Sequence, residues 1–307
     1  MRDISERYFP GFKHLQVEVE PGITINTFVG GEGKEAVLLL HGHPETYLIW
    51  RFIAPELAKK YTVVMTDLRG YGDSSKPVGN EDHSNYSNRV MAADQVKVMK
   101  SLGFTKFHGV AHDRGARVMH RLVMDWPDEI ISCTMMDIVP TLDMYEETNR
   151  EFATKYWHWF FYIQGGGFPE AALSADPDRF IHYNLQLKIG PTARKQFSED
   201  VLADYTRCFS DPATVHGICE DYRASAGIDL EHDRIDREQG KKIQSPTLLL
   251  WGENGVVGRL WDVPAKWRDL IVDMEGHGIS DCGHFVPEEQ PGQVLEYLLP
   301  FLEKYGA

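Results

Sequence analysis

The sequence predicts an α/β fold: a mostly parallel central sheet flanked by helices, interrupted by an inserted helical segment. Three observations carry this reading. Short, almost continuously apolar runs recur along the chain, and each ends in a loop bearing charged or special residues. Longer stretches separate these runs, as the crossover helices of parallel strands require. Between Pro140 and about Gly240 that alternation stops, and it resumes at Ser245-Pro246. The expected organisation is a core over residues 1–139, a helical cap over 140–240, and the rest of the core over 241–307.

Taken in order, Val37-Leu38-Leu39-Leu40 is the first buried strand and ends at His41-Gly42. Thr62 to Met65 hands over to Asp67-Leu68-Arg69-Gly70, Phe107 to Val110 to Ala111-His112-Asp113, and Cys133 to Met136 to Asp137. Runs that are apolar at every position suit strands covered on both faces. The inserted segment is aromatic, reading Tyr-Trp-His-Trp-Phe-Phe-Tyr from Tyr156 to Tyr162, with turns at Gly165-Gly166-Gly167 and Asp176-Pro177. Thr247 to Trp251 restores the strand pattern, a last strand near Gly278 leads to Asp281-Cys282-Gly283-His284, and Glu288 to Lys304 closes the chain as a helix. In such sheets ligands bind beyond the carboxyl ends of the strands, so the residues that end these runs are the candidates for chemistry.

The 307 residues include 32 Lys and Arg against 46 Asp and Glu, a formal net charge of −14. That field repels phosphate backbones and anionic lipid, which argues against nucleic acid and membrane as partners. A small anionic substrate would therefore need a local cluster of positive charge. The opening MRDISERYFPGF has no apolar signal region, and no apolar run is long enough to cross a bilayer, so a cytoplasmic location is expected. The four cysteines, Cys133, Cys208, Cys219 and Cys282, form no CxxC, which removes the usual zinc and disulfide signatures. The remaining histidines show no metal-ligand spacing. Nothing calls for a nucleotide, flavin or metal cofactor.

Ala111-His112-Asp113-Arg114-Gly115 follows a strand and opens a helix, with small residues two positions to either side of Asp113. A tight strand-to-helix elbow needs those small neighbours to push its central side chain out above the sheet, a place that usually carries a nucleophile. Here the central residue is an aspartate. A carboxylate attacking an sp³ carbon forms an ester, which a histidine can then hydrolyse by activating water. With His41-Gly42, Asp67 to Ser74 and the late His284 in the same order, the whole chain resembles the α/β-hydrolase superfamily. The resemblance implies Asp113 as nucleophile and His284 as base. Asp137, at the end of the next strand, is preferred over Glu253 as the carboxylate that orients His284. The backbone N–H groups of His43 and Arg114 are implied as the oxyanion hole.

Arg114 directly follows the nucleophile and Arg117 lies three residues on, so both can approach one end of the pocket. Two guanidinium groups there match a substrate carboxylate. With the cap, this pattern resembles the fluoroacetate dehalogenase family, and the resemblance implies that His158, Trp159 and Tyr222 hold the departing halide. Three such hydrogen bonds, at roughly 1.5–3 kcal/mol each, supply on the order of 5–9 kcal/mol before desolvation. Two departures stand out. His43 occupies a position where the family has an apolar residue such as phenylalanine, and no tryptophan is found near Leu187 and Lys188. The resemblance further implies a homodimer. The alternative enzyme is an epoxide hydrolase that uses the same Asp-His-Asp machinery and recruits Tyr222 with Tyr145 or Tyr156 as acids. A non-catalytic protein that binds a small anion is a third reading.

Overall fold

The structure, a computed structural model, describes residues 4–190 and 196–306. Its strands are β1 (Lys13–Glu20), β2 (Ile23–Gly30), β3 (Ala36–Leu40), β4 (Thr62–Thr66), β5 (Phe107–His112), β6 (Ile130–Met136), β7 (Thr247–Gly252) and β8 (Met274–Ile279). They form one sheet in the order β1-β2-β4-β3-β5-β6-β7-β8. From β4 to β8 all neighbours are parallel, while β1 pairs with β2 and β2 with β4 in antiparallel fashion.

Every residue of β3, β4 and β5 is buried, which explains why these strands read as unbroken apolar runs. Full burial of a Leu or Val side chain is worth roughly 1.5–3 kcal/mol, so Leu38, Leu39, Val63, Val64 and Val110 anchor the centre of the sheet. Helix Asp113–Asp125 packs on β5 and β6 and against helix Asn88–Ser101, and helix Pro291–Tyr305 packs on β6 and β7. The start of Asn88–Ser101 is fixed by Ser87, whose hydroxyl accepts the Val90 N–H.

The strand runs read from the sequence fall within β3 to β8. The sequence reading does not anticipate β1 and β2. β1 is an edge strand and mostly exposed, so its side chains lack the apolar continuity of the buried strands.

Between β6 and β7 the described chain holds helices and no strand, from Thr141–Glu146 to Ile228–Glu238. The turns read there are present: Gly166 and Gly167 have φ of 71° and 69°, and Asp176 caps helix Pro177–Lys188 by accepting the Arg179 N–H. No helix among the described residues is long and apolar enough to cross a membrane.

Candidate active site

β5 passes directly into helix Asp113–Asp125, and Asp113 sits at the junction with φ of 46°, a left-handed value costly for a residue with a Cβ. Two glycines make this possible. A Cβ on Gly115 would lie 2.4 Å from the His41 carbonyl oxygen, and one on Gly42 would lie 2.5 Å from Asp113 Cβ. Asp113 therefore projects at the carboxyl end of the sheet, with its Oδ1 accepting the His43 backbone N–H at 3.0 Å.

His284 follows β8 and faces Asp113: its Nε2 is 3.5 Å from Asp113 Oδ2, and its Nδ1 is 2.6 Å from Asp137 Oδ2. Asp137 is held in turn, its Oδ1 accepting the Gly252 N–H at 3.1 Å. Glu253 is exposed, and no hydrogen bond or ion pair ties it to His284. The Tyr156 hydroxyl also reaches His284 Nδ1 at 3.3 Å. Electrostatics bias the pair strongly. Burial pulls the His284 imidazole down, but Asp113 and Asp137 outweigh it and bring the pKa up to about 9. Burial pushes the Asp113 carboxyl up, and the His284 contact and charge overcome this to hold it well below the ordinary carboxylate range.

Arg114 and Arg117 lie together on the first turns of the elbow helix, both buried, but their charges are handled differently. Asp221 from the inserted segment accepts from Arg114 Nε at 2.8 Å and also from Nη2, which reaches Ser225 Oγ at 2.9 Å as well. Burial lowers the Arg114 pKa, yet Asp221 more than compensates and raises it. Arg114 Nη1 has no partner among the described residues. Arg117 has no carboxylate partner among the described residues. Its Nη1 reaches Thr141 Oγ1 at 2.8 Å and the Val139 carbonyl at 3.2 Å. Burial, with the neighbouring Arg114 charge, brings it down to about 10.

The aromatic residues named from the sequence converge on the arginines. Arg114 stacks on Tyr222 at 4.7 Å and Arg117 on Trp159 at 4.6 Å, and the two rings are 6.2 Å apart. Trp159 Nε1 and Tyr222 Oη are buried donors with no partner among the described residues. Buried polar atoms are nearly always paired, so a cluster of free donors suits an anionic ligand. His158 differs from these two, because its Nε2 is already met by Lys188 Nζ at 3.4 Å.

The profile of the family described as alpha/beta hydrolase fold matches residues 35–291. A fluoroacetate dehalogenase from Burkholderia sp is 43% identical over 294 residues, covering 96% of this chain and 95% of the relative. The chain belongs to the fluoroacetate dehalogenase family of α/β hydrolases. A soluble epoxide hydrolase from Corynebacterium sp. (strain C12) is 30% identical, with 91% of this chain and 94% of the relative covered. Among solved structures, a candidate α/β hydrolase from Nostoc sp PCC 7120 superposes with a TM-score of 0.91 at 47% identity, covering 95% of this chain and 98% of that one. A mutant of a candidate epoxide hydrolase from Pseudomonas aeruginosa with bound MFA gives 0.89 at 38% identity, with 97% of each chain covered.

Several residues of this family member escaped the sequence reading. Asp221, which engages Arg114, lies 107 residues away in the chain, and no local pattern announces it. Glu289 accepts the backbone N–H groups of Gly190, Gly283 and Phe285, each at 2.8 Å, and so clamps the His284 loop to the end of helix Pro177–Lys188. Tyr162 meets His43 Nε2 at 3.2 Å, and Lys188 is buried beside His158. Of the motif histidines, His41 accepts the Leu68 N–H and His112 meets the His284 carbonyl at 2.7 Å, so both brace the backbone. Among the described residues, one trio of possible metal ligands, Glu170, His216 and Glu220, lies outside the residues above. Arg223 already supplies its cation, at 2.6 Å from Glu170 and 2.8 Å from Glu220, and His216 Nε2 is used by the Gly79 N–H.

Proposed function

We propose that the protein is a haloacetate dehalogenase, hydrolysing 2-haloalkanoates such as fluoroacetate to 2-hydroxy acids and halide through an ester on Asp113. The observation that carries this reading is the cluster of buried, unpartnered donors, Arg114 Nη1, Trp159 Nε1 and Tyr222 Oη, next to a carboxylate held ionised. Arg114 and Arg117 bind the substrate carboxylate, and Trp159, Tyr222 and His158 receive the halide. An Asp113 oxygen attacks the α-carbon opposite the carbon–halogen bond, and the halogen leaves with the bonding pair as halide. Ester formation removes the Asp113 charge, one of the two anions that raise His284, so the imidazole becomes a competent base when water must be activated. His284 takes a proton from water, the oxygen adds to the Asp113 carbonyl carbon, and the oxyanion faces the backbone N–H groups of His43 and Arg114. Collapse releases the 2-hydroxy acid and restores Asp113.

On this reading residues 140–240 form the cap over the core segments 1–139 and 241–307. The protein works as a cytoplasmic homodimer without a cofactor. Four free, buried cysteines suit a reducing compartment, and exposed Phe168, Tyr183 and Leu187 on the cap offer apolar surface to a second copy.

The test is halide release from equal concentrations of fluoroacetate, chloroacetate and 1-chlorobutane, with glycolate as the matched product. Halide and glycolate from the acids, with nothing from the neutral chloride, is the expected result. The second reading, an epoxide hydrolase, draws on the unpartnered hydroxyls of Tyr145 and Tyr222 and on the epoxide hydrolase relative. A diol from styrene oxide with no halide from either acid would select it. An unpaired Arg117 has no role with a neutral epoxide.

A further inference from the structure

We propose that Lys188 and His43 form a second anion subsite beside the nucleophile, and that the preferred substrates are 2-halodicarboxylates. In these the halogen sits α to the carboxylate held by Arg114 and Arg117, and the second carboxylate lies one or two carbons further on. This inference rests on the dehalogenase reading above and names its substrate class.

Lys188 is the last residue of helix Pro177–Lys188, and its position is fixed by the catalytic loop, because its carbonyl accepts the His284 N–H at 2.9 Å. Its ammonium is buried and has no carboxylate within 4.0 Å among the described residues. The ammonium contacts are instead a neutral ring, His158 Nε2 at 3.4 Å, and the face of Tyr156, 5.5 Å to the ring centroid. Burial lowers both the Lys188 and the His158 pKa. An ammonium removed from water is normally matched by an anion, and here the principal one acting on it is Asp113 itself. Glu45, whose buried carboxylate has no hydrogen-bond partner among the described residues, and Asp137 also act on Lys188, but ester formation removes the largest of these charges, that of Asp113, and the substrate's second carboxylate then replaces it as counter-charge.

His43 extends the same surface. Its ring lies 6.2 Å from that of His158 and 5.8 Å from that of Tyr222, among Phe180, Phe209 and Tyr71. The Tyr162 hydroxyl has no other acceptor among the described residues and donates to His43 Nε2, which puts the imidazole proton on Nδ1. That buried Nδ1 has no partner among the described residues. Likewise, the Lys188 ammonium donates to His158 Nε2, leaving two of its own N–H bonds free for a ligand. The cations also sit on separate rings: Arg114 on Tyr222, Arg117 on Trp159, and Lys188 on Tyr156.

The reaction stays balanced: halodicarboxylate and water give hydroxydicarboxylate, halide and a proton. The test measures chloride release by the full chain from chloroacetate and from 2-chlorosuccinate, in the parent protein and in the Lys188→Met and Lys188→Arg variants. The parent is expected to favour chlorosuccinate by at least tenfold in kcat/KM. Lys188→Met should reduce that ratio at least tenfold, chiefly through KM, while Lys188→Arg keeps most of it. A folding defect would lower both substrates together and leave the ratio standing. His43→Phe gives an independent check and should lower the ratio in the same direction. Chloride from chloroacetate without preference for chlorosuccinate, or an unchanged ratio in Lys188→Met, overturns the inference and leaves the dehalogenase reading intact. No chloride from either substrate removes both.

Discussion

His284 lies between two anions, Asp137 at 2.6 Å and Asp113 at 3.5 Å, and the geometry sets how the protein responds to pH. Its folded pKa of about 9 is above the ordinary 6.5, so the imidazolium contributes stability that is fully present below 6.5 and lost as pH rises through 9. The Asp113 shift has the opposite sign, with stability present above its ordinary 3.8 and lost as pH falls through the depressed value. The two shifts describe one ion pair and count once. Urea unfolding should therefore show a loss on the order of 2–3 kcal/mol between pH 6.5 and pH 9.5, and His284→Gln should flatten that slope. Asp113→Asn removes the proposed nucleophile and one of the two anions together. Turnover of a haloacetate should fall by at least about 10⁴-fold, and the His284 ring should titrate below 9 in an NMR experiment. A ring that still titrates near 9 would mean that Asp137 alone sets its charge.

The loop carrying His284 owes its position to Glu289, which belongs to the short helix Val286–Glu289 and answers three backbone N–H groups with one carboxylate. Glu289→Ala would leave those donors without an acceptor at about 1–3 kcal/mol each, less whatever water recovers. The expected loss is about 3 kcal/mol or more in chemical denaturation, with a fall in kcat as the His284 ring loses its alignment. Glu289→Gln keeps an acceptor oxygen and should lose less. The elbow obeys the same logic at Gly115, where backbone carbonyls of Leu40 and His41 occupy the space that any Cβ would need. These loop devices are only partly legible in the sequence: the small residues around Asp113 announce the elbow, whereas nothing near Glu289 announces a clamp.

Across the whole molecule, one buried group joins three parts of the chain: Asp221 in helix Pro212–Ser225 receives Arg114 from the elbow helix and the Tyr71 hydroxyl at 2.6 Å from the segment after β4. Asp221→Asn removes the charge but not the shape, and leaves a buried guanidinium uncompensated. A loss of roughly 3–5 kcal/mol is expected in urea unfolding, and a loss under 1 kcal/mol would show that Arg114 finds another counter-charge. Strands β3 to β8 were legible because burial on both faces forces an apolar residue at nearly every position. β1 was not, since an edge strand open to water carries no such constraint, and β2 was not, since its buried stretch carries the polar Asn26 and Thr27 among its apolar residues. The candidate triad was legible because an elbow aspartate, the aspartate ending the next strand and a late histidine come in a recognisable order. By itself the sequence determined strands β3 to β8 and named residues at their carboxyl ends, with Arg114, Arg117, Trp159 and Tyr222, that the structure brings together. Only the tertiary structure decided which of two arginines three residues apart has no carboxylate partner, and that His43 and Lys188 both border His158. The physical reason is that local periodicity and sterics are written in neighbouring residues, whereas the charge state of a buried group depends on whatever the fold brings within a few ångströms of it.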